Sequence, residues 1–373
     1  MILVSLRKLA GFARREAILC ISAVCAVISM FFTPPSAAYI SYIDVRVLCL
    51  LFCLMAVVAG LRECRIFDLL SARVLSHGAA GGCVALFLVL APFFASMLVT
   101  NDVALITFVP LALSLLCSSG HVRALPLVVA LQTVAANLGS MATPVGNPQN
   151  LFLYNYYSVS SKAFFAAVLP ITGISFLLLA VPSFFALRGK FAALPETDTA
   201  PLSKRIWLFA ALFVLCLLTV FRVLDYRLLT AVTLLLLLAI DRPALRQVDY
   251  ALLATFVCFF IFAGNIGAIP AVRSLFTAAL SGNALLSSAL ASQIISNVPS
   301  AVLLSVFTDR WRELLLGVDI GGLGTPIASL ASLITLKLYL RSAGARSGRY
   351  LAVFTLYNLI GLAILLPVAM FLF

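Results

Sequence analysis

The sequence predicts an all-α, polytopic membrane fold. Three observations carry that prediction: 64% of the residues are hydrophobic, only 10% are charged, and long apolar runs recur from end to end. Soluble domains carry about 25% charged residues, and a spanning helix needs roughly 17–25 apolar ones. A transmembrane β-barrel is excluded, because its strands alternate apolar and polar over about ten residues and no such alternation runs through this chain. The net charge of +12 does not point to nucleic acid. The basic residues fall between the apolar runs, where they act as topology signals. The nine cysteines lie mostly inside apolar stretches, without a Cys-x-x-Cys pair, and read as small buried hydrophobes rather than disulfides or metal ligands.

Residues 1–15 read as a basic cytoplasmic start. The apolar stretch that follows is long for a signal-peptide core of about 7–15 residues, so it reads as a retained first helix. Spans are expected near 16–33, 44–62, 124–157, 163–187, 206–221, 228–240, 250–267, 314–340 and 350–372, which makes about nine full crossings. Two of them, 124–157 and 314–340, are broken by Gly and Pro. Two further apolar stretches, 79–118 and 282–307, carry polar centres, "VTNDVA" and "ISNVPS", and read as re-entrant hairpins. If both hairpins leave on the side they entered, most of the 25 Lys and Arg fall on one side, which the positive-inside rule makes cytoplasmic. The N-terminus is then cytoplasmic and the C-terminus outside. Trp207 and Trp311 fall at the predicted interfaces, and His77 and His121 at the cytoplasmic edge, as solvated loop residues. Segments 64–77 and 268–282 read as amphipathic interfacial arms, and 188–205 as a cytoplasmic linker.

These elements divide into two repeats. Residues 16–187 form the first, with its hairpin at 79–118 and broken helix at 124–157. A connecting span covers 206–225, and residues 226–373 form the second, with hairpin 282–307 and broken helix 314–340. "NLGSMATPVGNPQNL" (137–151) aligns without a gap to "DIGGLGTPIASLASL" (319–333), setting Thr143-Pro144 over Thr325-Pro326. Upstream, "VTNDVALI" (99–106) pairs with "ISNVPSAV" (295–302), setting Asn101 over Asn297. The two broken spans cross in opposite senses, so the repeats are inverted.

Irregular backbone at membrane depth is tolerated where it is buried in protein or lines a wet cavity. Inverted repeats whose interrupted helices meet at the midplane are the design of secondary transporters: freed N–H groups face anions and freed carbonyls face cations. Taken singly, the tip residues Thr100, Asn101 and Asp102, and Ser296 and Asn297, read equally well as helix caps. Their joint occurrence with two breaks at corresponding places favours the transporter reading. Asp102 and Asp319 fall at the breaks, where an intramembrane carboxylate marks an ion or substrate path. Each is a candidate for proton or cation coupling, or for a carboxylate held by backbone N–H groups. No H-E-x-x-H, G-x-S-x-G or P-loop motif is present, so an intramembrane enzyme is not expected, nor is a cofactor beyond Na⁺ or H⁺ as coupling ion. A purely structural membrane protein would need no polar midplane.

At these motifs the chain resembles the ion transporter superfamily, which includes citrate-type and divalent-anion permeases, arsenite permease and sodium/proton antiporters. "TNDVALITFVPL", "ATPVGNPQNL", "SNVPSAVLL" and "GGLGTPIASLASL" are similar to its hairpin tips and unwound segments, in order, over nearly the whole chain. The resemblance implies a homodimer in the lipid bilayer that carries a small anion, a carboxylate or inorganic oxyanion, by an elevator-like movement coupled to Na⁺ or H⁺. It also implies two cation sites, Thr100, Asn101, Gly146 and Asn147 in one, Ser296, Asn297, Ala328 and Ser329 in the other. Substrate would meet Asn101, Asp102, Thr143, Pro144, Asn297, Val298, Thr325 and Pro326. Asp102 and Val298 stand where dicarboxylate members carry Thr, which leaves cation/proton antiport or arsenite-like metalloid efflux as the alternative.

Overall fold

A computed structural model describes residues 16–64, 79–187, 190–191, 203–342 and 345–372. Arm 64–77 beyond Cys64, His77 and most of linker 188–205 lie outside the described residues. The described chain is helical apart from one two-residue pair, in which β1 (Ala79–Ala80) runs antiparallel to β2 (Lys190–Phe191). Seven of its helices are long and apolar enough to cross a membrane, by length and composition.

Three helices open the chain: α1 (Ala17–Phe32), the short α2 (Ala38–Tyr42) and α3 (Val45–Glu63). Asp44 starts α3 by accepting a hydrogen bond from Val47 N, which takes one of the donors a helix start leaves free. The first hairpin follows, α4 (Gly81–Ala95) and α5 (Asn101–Ser118). The broken span is α6 (Leu125–Ser140) and α7 (Pro148–Tyr156), followed by α8 (Ser161–Ala186). The second part holds α9 (Arg205–Val220), α10 (Tyr226–Ile240), α11 (Arg242–Arg246) and α12 (Tyr250–Gly267). Then come α13 (Pro270–Ile295), α14 (Asn297–Ser305), the broken pair α15 (Trp311–Ile320) and α16 (Leu330–Leu340), and α17 (Ser347–Leu372).

Packing separates a frame from a centre. In the frame, α1 lies on α12, while α9, α10 and α11 lie on α3. The centre is α6, buried along its length except at Leu127 and touched by α4, α5, α8, α16 and α17. Helix α13 continues through the expected boundary at 282 and kinks at Asn283, whose φ of −158° and ψ of 95° are extended. The Asn283 side chain accepts from Leu286 N at 2.9 Å and restarts the helix, so interfacial arm and hairpin arm form one bent rod.

Candidate functional site

Both helix breaks sit where Gly and Pro are dense. The first, 141–147, ends at Asn147, whose side chain caps α7 by accepting from Asn150 N at 2.8 Å, with Pro148 at the first helical position. The second spans 321–329, where Gly324 has a φ of +107° that a side chain would strain. One amide side chain takes up freed backbone at each break. Asn150 Nδ2 donates to Met141 O and Thr143 O at 3.1 and 3.3 Å. Gln293 Nε2 donates to Gly321 O and Leu323 O at 2.7 and 2.9 Å, while its Oε1 accepts from Thr325 N at 2.9 Å. Without such partners these groups would stand unpaired in a water-poor interior.

Each hairpin tip is tied to a break by one main-chain bond. Asn101 N donates to Gly146 O at 3.2 Å, and Asn297 N donates to Ala328 O at 2.9 Å. Asn101 Oδ1 then accepts from Asp102 N at 3.0 Å, and Asn297 Oδ1 from Val298 N at 2.9 Å. The second tip turns through Ser296, held at φ 73°, with its Oγ 3.3 Å from Ala328 O.

The breaks are also tied to each other. Asn137 Oδ1 accepts from Asn101 Nδ2 at 3.1 Å and from Ser329 Oγ at 3.0 Å. Asp319 Oδ1 accepts from Asn147 Nδ2 and Gln149 Nε2, both at 3.2 Å. All these residues are buried. In the ungapped sequence match Asn137 stands over Asp319 and Asn147 over Ser329, so the two cross-ties are equivalent.

A cavity of about 240 Å³ reaches the first tip. Thr100, Asp102 and Asn147 line it with polar groups, α3, α5, α7, α12 and α16 supply apolar walls, and Arg62, Gln247 and Asp249 line it too. Asp102 Oδ1 is buried and takes no hydrogen bond among the described residues. The sequence-predicted residues therefore divide. Thr100, Asp102 and Asn147 line this cavity, while Asn101, Gly146, Asn297 and Ala328 make the tip bonds. Asp319 and Ser329 belong to the cross-ties. Thr143 turns to Met97 O at 2.5 Å, and Thr325 is exposed and bound to Gln293. Sequence reading passed over Asn137, Gln149, Asn150 and Gln293; four amides inside apolar spans were the available signal.

The family model for the citrate transporter matches residues 1–308. The chain belongs to the citrate transporter family. Its relatives fit the wider ion transporter superfamily. An uncharacterized transporter of Methanocaldococcus jannaschii is 35% identical over 86% of this chain and 87% of its own length. The Inner membrane protein YbiR of Escherichia coli is 31% identical, over 83% of this chain and 84% of its own. A silicon efflux transporter of Oryza sativa is 36% identical over 41% of this chain and 32% of its own. This citrate transporter family member is a multi-pass membrane transporter of the secondary type, not an enzyme.

Proposed function

We propose that the protein carries a small anion, a carboxylate or inorganic oxyanion, coupled to Na⁺ or H⁺, by moving the tips and breaks as one body against the frame. The observation that carries this is the repeated tie: Asn101 to Gly146, Asn297 to Ala328, and the equivalent cross-ties Asn137–Ser329 and Asn147–Asp319. Four pieces of irregular backbone joined into one buried unit suit a mobile binding body, with inverted repeats as its origin. The residues proposed to meet the solute and its coupling ion are Thr100, Asn101, Asp102 and Gly146 at one tip, and Ser296, Asn297 and Ala328 at the other. The coupling carboxylate is Asp102 or Asp319. A homodimer in the inner membrane, with the N-terminus cytoplasmic, completes the reading. Glu63 bonds Gln247 and Arg205 pairs with Asp241, which gathers Arg62, Arg205, Arg242 and Arg246 at the end bearing the Arg62 mouth of the cavity. By the positive-inside rule that mouth is cytoplasmic.

A second reading rests on Asp102. Its unpaired Oδ1 at the cavity favours either a solute that donates hydrogen bonds, such as a neutral hydroxylated weak acid, or a cation drawn to the carboxylate. The silicon efflux transporter among the relatives is in keeping with it. Proteoliposome flux against citrate, phosphate, arsenite and silicic acid, under imposed Na⁺ or pH gradients, separates the two. Anion flux driven by either gradient supports the first; silicic acid or arsenite flux alone, or Na⁺/H⁺ exchange without any solute, replaces it with the second.

A further inference from the structure

A second cavity, of about 290 Å³, lies toward the other end of the same helices. Ser41, Tyr42 and Asp44 line it beside Phe152, Phe260 and Val306. Helices α3, α7 and α12 run past both cavities. On α7, Leu151 lines the first and the very next residue, Phe152, lines the second; each is 1% exposed. On α12, Leu252 lines the first and Phe260 the second, about 12 Å apart at 1.5 Å per residue. On α3, Leu51 lines the first cavity, and the capping Asp44 just before the helix lines the second, about 10 Å away. The two cavities therefore adjoin at α7 and lie about 10–12 Å apart along the other two helices, within a hydrocarbon core about 30 Å thick.

Where α7 meets α12 the divide is aromatic. Phe152 and Phe260 stand 5.6 Å apart between ring centroids, and Phe256 lies 5.9 Å from Phe260. All three are buried. Phe152 also packs on Tyr156 at 5.2 Å, in the second cavity. The three phenyl rings carry no charge or hydrogen-bonding group, and an apolar constriction of this kind blocks ions by shedding water.

We propose that the two cavities are opposite vestibules of one permeation path, and that Phe152, Phe256 and Phe260 form the barrier between them. The proposal rests on the transport reading, yet its test needs no transported solute. In a background without the nine native cysteines, Ile106→Cys places a thiol in the first cavity and Val306→Cys one in the second. A charged, membrane-impermeant methanethiosulfonate is applied to one face at a time, using right-side-out and inside-out vesicles. Phe260→Ala is expected to raise labelling of Ile106→Cys from the second cavity's face at least tenfold. Labelling of Val306→Cys from that face should stay unchanged, which reports a folded vestibule. Phe260→Leu should give a smaller rise, and Phe371→Ala, at an exposed position near the end of α17, none. Unchanged Ile106→Cys labelling in the Ala and Leu variants, with the Val306→Cys control intact, overturns the barrier. A rise in labelling without flux of any solute in the panel above upholds the barrier and removes the proposed substrates instead.

Discussion

Gly146→Ala tests the tip-to-break tie with one methyl group. A Cβ at Gly146 would stand 2.1 Å from Ser140 O and 2.8 Å from Ser96 O, both main-chain atoms that cannot swing aside. Restoring an ordinary carbon–oxygen contact requires a shift of about 1 Å. The Gly146 carbonyl accepts from Asn101 N at 3.2 Å, and such a shift breaks that bond. Overpacking of this kind costs about 1–3 kcal/mol and the lost hydrogen bond about 0.5–1.5 kcal/mol, so the variant should lose roughly 2–4 kcal/mol. At about 2 °C per kcal/mol, the low end for large chains, the detergent-purified protein should melt roughly 4–8 °C lower. The corresponding residue of the second break is Ala328, which already carries the methyl and still accepts from Asn297 N at 2.9 Å. Ala328→Gly should therefore leave the melting point within about 2 °C and keep the second tip in place. Dye-monitored unfolding and flux in matched proteoliposomes read both variants. If Gly146→Ala melts and transports like the parent, the first tip is not held by this bond and the geometric argument fails.

Asp319→Ala should destabilise the protein by about 2 kcal/mol or more, because it strands the buried Gln149 amide and removes one of two acceptors from Asn147. Asp319→Asn, which keeps an oxygen for both, should recover most of the loss in the same unfolding assay. Equal melting of the Ala variant and the parent would show the cross-tie to be idle. Asn101→Ala and Asn297→Ala should each cut flux at least about tenfold, equivalent to about 1.4 kcal/mol, at unchanged membrane insertion on a blot of the membrane fraction. Unimpaired flux in both would leave the two Asn as helix caps only. Asp102→Asn should alter the dependence of flux on pH or Na⁺ while expression holds; a profile identical to the parent's would assign the carboxylate a structural role.

The helices were legible because the bilayer demands long apolar runs, and α12 begins and ends at the residues its apolar run marks, 250 and 267. The breaks were legible for the opposite reason, since Thr143-Pro144 and Thr325-Pro326 interrupt runs that nothing else would interrupt. What joins the breaks was not. The Ser329–Asn137 and Asn147–Asp319 bonds link residues 192 and 172 positions apart, and a single sequence carries no sign of which buried amide meets which. Gln293 was hidden differently. It lies four residues before the tip Asn297, inside an apolar helix, while its work is to hold backbone of the second break, about 30 residues further on. The kink at Asn283 was missed because a polar residue between two helical patterns reads as a boundary, whereas here it bends a rod that continues.

The two halves share a frame of bonds and differ in what those bonds carry. Asn137 and Asp319 occupy matching places, yet the first bonds the tip Asn101 while the second holds Asn147 and Gln149 beside the other break. At the tips the inequality is reversed: Asp102 enters a cavity with one oxygen unpaired, whereas Val298 offers a polar solute nothing. Asp102 thus lines a cavity, whereas Asp319 gives Oδ1 to internal bonds and keeps a buried, unpaired Oδ2 among the described residues. A transported solute that met both tips alike would find two different surfaces, so under the proposed function the first tip is expected to dominate recognition. Exchanging Val298 for Asp should then change transport less than exchanging Asp102 for Val, and a larger effect at 298, measured as initial flux under one gradient, would contradict that ordering.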